Sequence, residues 1–167
     1  HSRTDACHPR MAHLDDPGLL PSLTRLVDSV HQYDTFVSIE LVHSGRRAHP
    51  AYLPEDGEVW GPSPSVNHYG AEVKEMTENM MDEIADAYAE AAFMAKFAGV
   101  DMVMIHGGHG WLLDQFLSPL NNKRTDQYGG SLENRARFPI MVLDRVRERC
   151  GKNFPIEYRI SGSELIE

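Results

Sequence analysis

"VDMVMIHGGHGWLLDQFLSP", residues 100–119, decides how this chain is read. Val100 to Ile105 are apolar apart from Asp101 and read as a buried strand. Directly beyond it, within six residues, stand His106, His109 and Trp111, set among Gly107, Gly108 and Gly110. A buried strand that releases such side chains at its end suits a parallel α/β sheet, whose sites lie at the carboxyl ends of the strands.

Working outward from this stretch, the same rhythm repeats. Residues 77–98 form the clearest helix, with Ile84, Tyr88, Ala91 and Ala95 on one face and Gly99 as its stop. Before it, residues 43–76 are rich in Gly and Pro and read as loop, following a strand at 36–42 and a helix at 19–33 that carries Leu23, Leu26, Val27 and Val30 at helical spacing. After it, a second long loop runs to about residue 131. A helix over 134–150 is stopped by Gly151, and Pro139 is tolerable only near its first turn. A third strand spans 154–160. Strand, helix, strand, helix, strand implies an α/β fold with a parallel sheet and right-handed crossovers. Its strand ends bring forward His43, His106 with its loop, and Arg159 with Ser161. Two loops of such length inside one domain are usually functional.

Composition narrows the classes. The 167 residues suit one domain, and a net charge of −9 with pI near 5.4 argues against a nucleic-acid surface, which needs a basic stripe. Cys7 and Cys150 form neither a disulfide framework nor a thiolate cluster and suit a reducing compartment. No apolar run reaches 18 residues and no signal peptide opens the chain, so a cytoplasmic location, away from membranes, is expected. From the residues alone, His106 and His109 could also make a metal site, with His43 and Asp114 completing the ligand set.

"IELVHSGRRA" (39–48), "IHGGHGWLLDQFLSP" (105–119), "NKRTDQYGGSLENRARF" (122–138) and "EYRIS" (157–161) together resemble the flavin-dependent Old Yellow Enzyme family. The variant details lean toward the branch with 2,4-dienoyl-CoA reductases, clostridial enoate reductases and trimethylamine dehydrogenase. The resemblance implies a (β/α)8 TIM barrel that binds FMN at its carboxyl-end mouth, with 36–42, 100–105 and 154–160 as its third, fourth and fifth strands. A whole barrel needs about 250 residues, so residues 1–167 are expected to be a partial FMN-binding barrel domain, its central portion. The family's phosphate grip on FMN, and the iron–sulfur cluster and FAD of larger members, would lie outside this segment. NADH or NADPH would be the electron donor, and an activated C=C bond of enone, enoate or dienoyl type the acceptor. Two exposed sheet edges imply a homo-oligomer or pairing with the rest of the barrel.

The same resemblance implies roles. Glu40 stands where the family usually has a Gln facing the flavin pyrimidine edge, and a carboxylate there accepts hydrogen bonds but donates none unless protonated. His106 and His109 match the pair that polarises the substrate and steadies the charge developing as hydride arrives. Trp111 replaces the usual Tyr; an indole N–H can donate a hydrogen bond but delivers no proton near neutral pH, so Trp111 is either catalytic in some other way or a wall of the substrate pocket. Arg159 matches the cation beside the flavin that favours negative charge on its reduced form. His43 could approach flavin or substrate. Arg124, Asp126, Tyr128 and Arg135 are expected to form a clamp that braces the catalytic loop. Three alternatives stay open: an amine dehydrogenase-like flavoenzyme, a metal-dependent barrel hydrolase using His43, His106 and His109, and a non-catalytic barrel fragment.

Overall fold

A parallel three-stranded sheet, in the order expected from the alternation of strands and helices, carries the molecule. The computed structural model describes residues 1–6 and 8–164; Cys7 and residues 165–167, and what was expected of them, lie outside it. Helix α1 covers Leu20–His31 and strand β1 Ser38–Leu41. The segment read as loop then forms two 3-10 turns and a small second sheet: β2 (Val59–Gly61), β3 (Ser65–Val66) and β4 (Glu72–Glu75), with β2 parallel and β3 antiparallel to β4. Strands of two to four residues leave no readable alternation, and in β4 only Val73 is buried among charged neighbours.

Helix α2 (Glu78–Phe97) starts on Thr77, whose side chain accepts the Met80 N–H, and turns off at Gly99, where φ is 95°. It buries Met81, Ile84, Ala85, Tyr88, Ala89, Ala92 and Ala95, with Ala91 only half-buried at the margin of that face. Strand β5 covers Met102–Gly107, two residues later than expected at both ends, so His106 lies within the strand and not in the loop beyond it. The shift has a local cause: the N–H of Val100 still turns back to Ala95 O, and that of Asp101 goes to Val37 O. Helix α3 (Leu112–Leu117) occupies the second expected loop; six residues are too few to show a helical period in sequence.

Helix α4 runs Leu132–Cys150, capped by Ser131 and ended by Gly151 at φ 84°. Pro139 therefore sits in its third turn, not its first. A missing N–H removes one rung of the helix there, and the ring is buried beside Phe138 and Val142 on the helix face that enters the core. Strand β6 (Ile156–Ile160) completes the sheet in the order β1-β5-β6, all parallel. Alternation sends Ile39, Leu41, Val103, Ile105, Ile156 and Tyr158 to one face, where they join the core made with α2, α3 and α4. The other face carries Ser38, Glu40, His106, Glu157 and Arg159 together with Met102 and Met104. No helix among the described residues is long and apolar enough to cross a membrane.

Candidate active site

Strand register assembles the site. Glu40 stands opposite Met104 and Arg159 opposite His106, so Glu40, His106 and Arg159 share the sheet face turned away from the helices. The Glu40 carboxylate takes a short hydrogen bond from Nδ1 of His106, and an Arg159 guanidinium nitrogen lies 3.5 Å from the same oxygen. Burial opposes charge on Glu40, but the hydrogen bond from His106 and the nearby His106 and Arg159 outweigh it and hold its carboxyl below the usual range. His106 is buried (5% exposed), while Glu40 and Arg159 are exposed. Nε2 of His106 faces Nδ1 of His109 at 3.2 Å.

The loop after β5 is shaped for this meeting. His109 adopts φ 57° and Gly110 φ 74°, a left-handed turn that returns the chain over the strand end. The His109 N–H is held by Ser161 Oγ at 2.9 Å, its carbonyl by Arg47 at 2.8 Å, and the Gly110 N–H by Asp114 at 2.7 Å. Gly107 is required by close approach, since a Cβ there would lie 2.1 Å from the Tyr158 hydroxyl. That hydroxyl is buried without a hydrogen-bond partner among the described residues, and burial raises its pKa. Trp111 begins α3 half-buried, edge-on to His106 with ring centroids 6.3 Å apart.

Two residues that sequence reasoning missed tie the loops together. Gln115, fully buried, donates to Ser44 O (3.0 Å) and Gly110 O (2.8 Å) and accepts from Arg46 N–H (3.0 Å). A glutamine among Leu112, Leu113 and Phe116 was the available signal, because a buried amide needs several partners. Arg47 is exposed, with its guanidinium 5.6 Å from the Trp111 ring centre. It is hidden in sequence by its neighbour Arg46.

His43 takes a different place from the one expected. It is 2% exposed; its Nδ1 accepts the Gly45 N–H at 3.0 Å, so Nε2 carries the proton and donates to Thr4 Oγ1 at 2.9 Å. Burial pushes its pKa down to about 4 against the opposing pull of Asp5. Both nitrogens being engaged within the chain, His43 shapes the turn after β1 and offers neither to flavin, substrate or metal. Its carbonyl receives Leu112 N–H at 2.9 Å. The set His43, His106 and His109 therefore does not assemble, and no group of three or more His, Cys, Asp or Glu among the described residues could hold a metal ion.

The clamp expected at residues 124–135 forms. Buried Arg124 reaches Asp126, Pro62 O (3.1 Å) and Met76 O (2.7 Å), so it joins this loop to the small sheet. The Tyr128 N–H donates to Asp126, and Arg135 donates to Leu117 O at 2.6 Å, holding the end of α3. A Cβ at Gly129 would meet Arg124 O at 2.1 Å, which explains the glycine.

Comparison with known proteins gives the family and the fold. Residues 2–167 match the model of the NADH:flavin oxidoreductase / NADH oxidase family. The chain is 37% identical to an NADH oxidase of Thermoanaerobacter brockii, over 97% of this chain and 24% of that protein. It is 44% identical to an NADPH dehydrogenase of Clostridium acetobutylicum, over 85% of this chain and 41% of the relative. The solved structure of Old Yellow Enzyme from Pichia sp. superposes with a TM-score of 0.82 at 32% identity, over 94% of this chain and 45% of that one. The fold is thus part of a (β/α)8 barrel, and the chain spans less than half the length of each of these relatives.

Proposed function

The chain belongs to the NADH:flavin oxidoreductase / NADH oxidase family, and from that premise we propose that it is the central segment of an FMN-dependent NAD(P)H oxidoreductase acting on activated C=C bonds of enone, enoate or dienoyl type. The observation that carries this reading is the convergence of Glu40, His106 and Arg159 on one sheet face, with His109 turned back over them. A groove along the free edge of β1, lined by Leu14, Leu23, Ile39, Leu41, Ile84 and Ala91, supports pairing with further barrel elements.

The residues present fit the flavin ring. Its flat face suits Met102 and Met104, half-buried on the same sheet face, and its polar edge suits Glu40 as acceptor and Arg159 as donor, both reachable from solvent. When bound, FMN supplies hydride transfer from a reduced nicotinamide to the substrate double bond. His106 and His109 hold the substrate's carbonyl oxygen: an oxygen docked beside their facing nitrogens takes an N–H bond from each in place of the bond the two rings make with one another, and is steadied as negative charge grows on it. For His106 to donate to Glu40 and to substrate together, both its ring nitrogens must be protonated. Arg159 would set a fixed cation beside the flavin edge. Trp111 walls the pocket, and the proton that completes reduction comes from water or another group. The absence of a phenol at position 111 also favours amine oxidation as a second reading. His43 serves the turn and is assigned no ligand.

The full-length protein is expected to be yellow, to bleach with NADH or NADPH, and to recover its colour on adding 2-cyclohexen-1-one. A colourless protein carrying stoichiometric zinc would overturn the reading. The 167-residue segment should bind FMN weakly, since the groups described would contact the ring and not the phosphate. Submicromolar affinity in a fluorescence titration would show that the anchor lies within it.

A further inference from the structure

Arg47 projects from the turn after β1 to the rim of the His106–His109 site. One of its N–H groups donates to the His109 carbonyl, and the guanidinium lies over the Trp111 ring and beside Gly110, where a Cβ would fall 3.5 Å from its central carbon. The chain holds 25 acidic against 16 basic residues, and Arg124, Arg145, Arg149 and Arg159 each meet a carboxylate. Among the described residues Arg47, like Arg25, Arg46, Arg135, Arg137 and Arg147, makes no ion pair with a carboxylate, and it stands exposed at the rim of the site. The nearby carboxylate, Asp114, is turned to Gly110 N–H. A planar guanidinium has five donors in a fixed fork; one is spent on the His109 carbonyl, the cation lies 5.6 Å from the Trp111 ring centre, and the remaining donors face outward from an exposed side chain.

We propose that Arg47 and Trp111 form a subsite for the carboxylate tail of a flat, unsaturated substrate whose reacting head lies against His106 and His109. The inference rests on the ene-reduction reading and names its substrate class. The tail meets Arg47 through paired N–H bonds, and the intervening plane of the substrate lies along the Trp111 indole. Because Arg47 also holds the His109 carbonyl, tail binding and the placing of His109 are mechanically joined.

The test compares 4-carboxycinnamaldehyde with its methyl ester in the full-length protein. The acid should be favoured by about 10-fold in kcat/KM, the scale of a charge-assisted bidentate contact at a partly exposed site. Arg47→Gln should bring that ratio close to one, mainly through KM for the acid, and Arg47→Glu should invert it. A disturbed loop slows both compounds and leaves the ratio, so the ratio isolates the tail contact. An unchanged ratio in Arg47→Gln overturns the subsite. If neither aldehyde is reduced, calorimetric titration of the same pair decides. A preference for the acid that vanishes in Arg47→Gln upholds the subsite while ending the ene-reduction reading, and equal affinities in the unsubstituted protein end the subsite.

Discussion

Glu40 and His106 are joined on a diagonal: in the ladder Glu40 stands opposite Met104, yet its carboxylate reaches forward along the sheet face to Nδ1 of His106. A carboxylate held ionised there accepts only, so the proton on Nδ1 is settled and Nε2 is the nitrogen turned to His109. The orientation of the pair is therefore set by the neighbouring strand before any ligand arrives.

Replacing both donors tests their role. The double substitution His106→Asn, His109→Asn should leave the full-length protein yellow and lower turnover by about 10²-fold or more, the scale of losing positioned donors. Steady-state rates with and without a chelator check it. Full activity, or loss to the chelator restored by zinc, would point to metal chemistry instead.

Trp111→Tyr separates a wall from a missing acid. General acid catalysis contributes about 10²–10⁴-fold, so a phenol placed at the start of α3 should speed reduction of simple enones and alter the solvent isotope effect of the oxidative half-reaction. If Trp111 only walls the pocket, the smaller ring weakens substrate binding and adds no rate. Neither change would place residue 111 outside the active site.

Gln115 should be costly to replace with an apolar side chain. Gln115→Leu strands Ser44 O, Gly110 O and the Arg46 N–H inside the fold. Buried polar groups left unsatisfied cost about 1–3 kcal/mol each, partly relieved by relaxation, so a loss of about 2–4 kcal/mol is expected. Urea unfolding of the full-length protein measures it. A loss below about 0.5 kcal/mol, the scale of an ordinary surface change, would show that the two loops do not depend on this amide.

His43 gives the fold an acid sensitivity of known sign. Its folded pKa, pushed down to about 4 by burial, lies below the usual histidine value of 6.5. Between those values the unfolded chain binds the extra proton and the folded one does not, so stability present above pH 6.5 is lost as pH falls toward 4. The full difference is about 3 kcal/mol. Unfolding midpoints measured from pH 7 to pH 4 should fall more steeply for the unsubstituted protein than for His43→Gln; parallel curves would refute the assignment.

Much of this protein was legible from residues near each other in sequence. Gly99 and Gly151 marked the helix ends because a left-handed residue is a local requirement. The apolar run before His106 marked a strand because burial on a sheet needs it. The polar string from Arg124 to Arg135 announced a clamp because so many donors and acceptors in one loop must pair. The family resemblance placed His106, His109 and Arg159 at strand ends.

Tertiary structure decided what depends on register and on chain segments meeting from afar. The diagonal from Glu40 to His106 exists only once β1 and β5 pair at one register, and a one-residue slip would send Glu40 to the helix side. His43 looked available at a strand end until Thr4, 39 residues earlier in the chain, closed over it. Pro139 survives in the third turn of α4 because the core face of that helix takes its ring. Gln115 and Arg47 meet the loop after β5 only when α3 folds against the turn after β1. Periodicity and motif record the needs of one element at a time. Which polar group satisfies which is chosen by packing, where an unmade bond has its greatest cost.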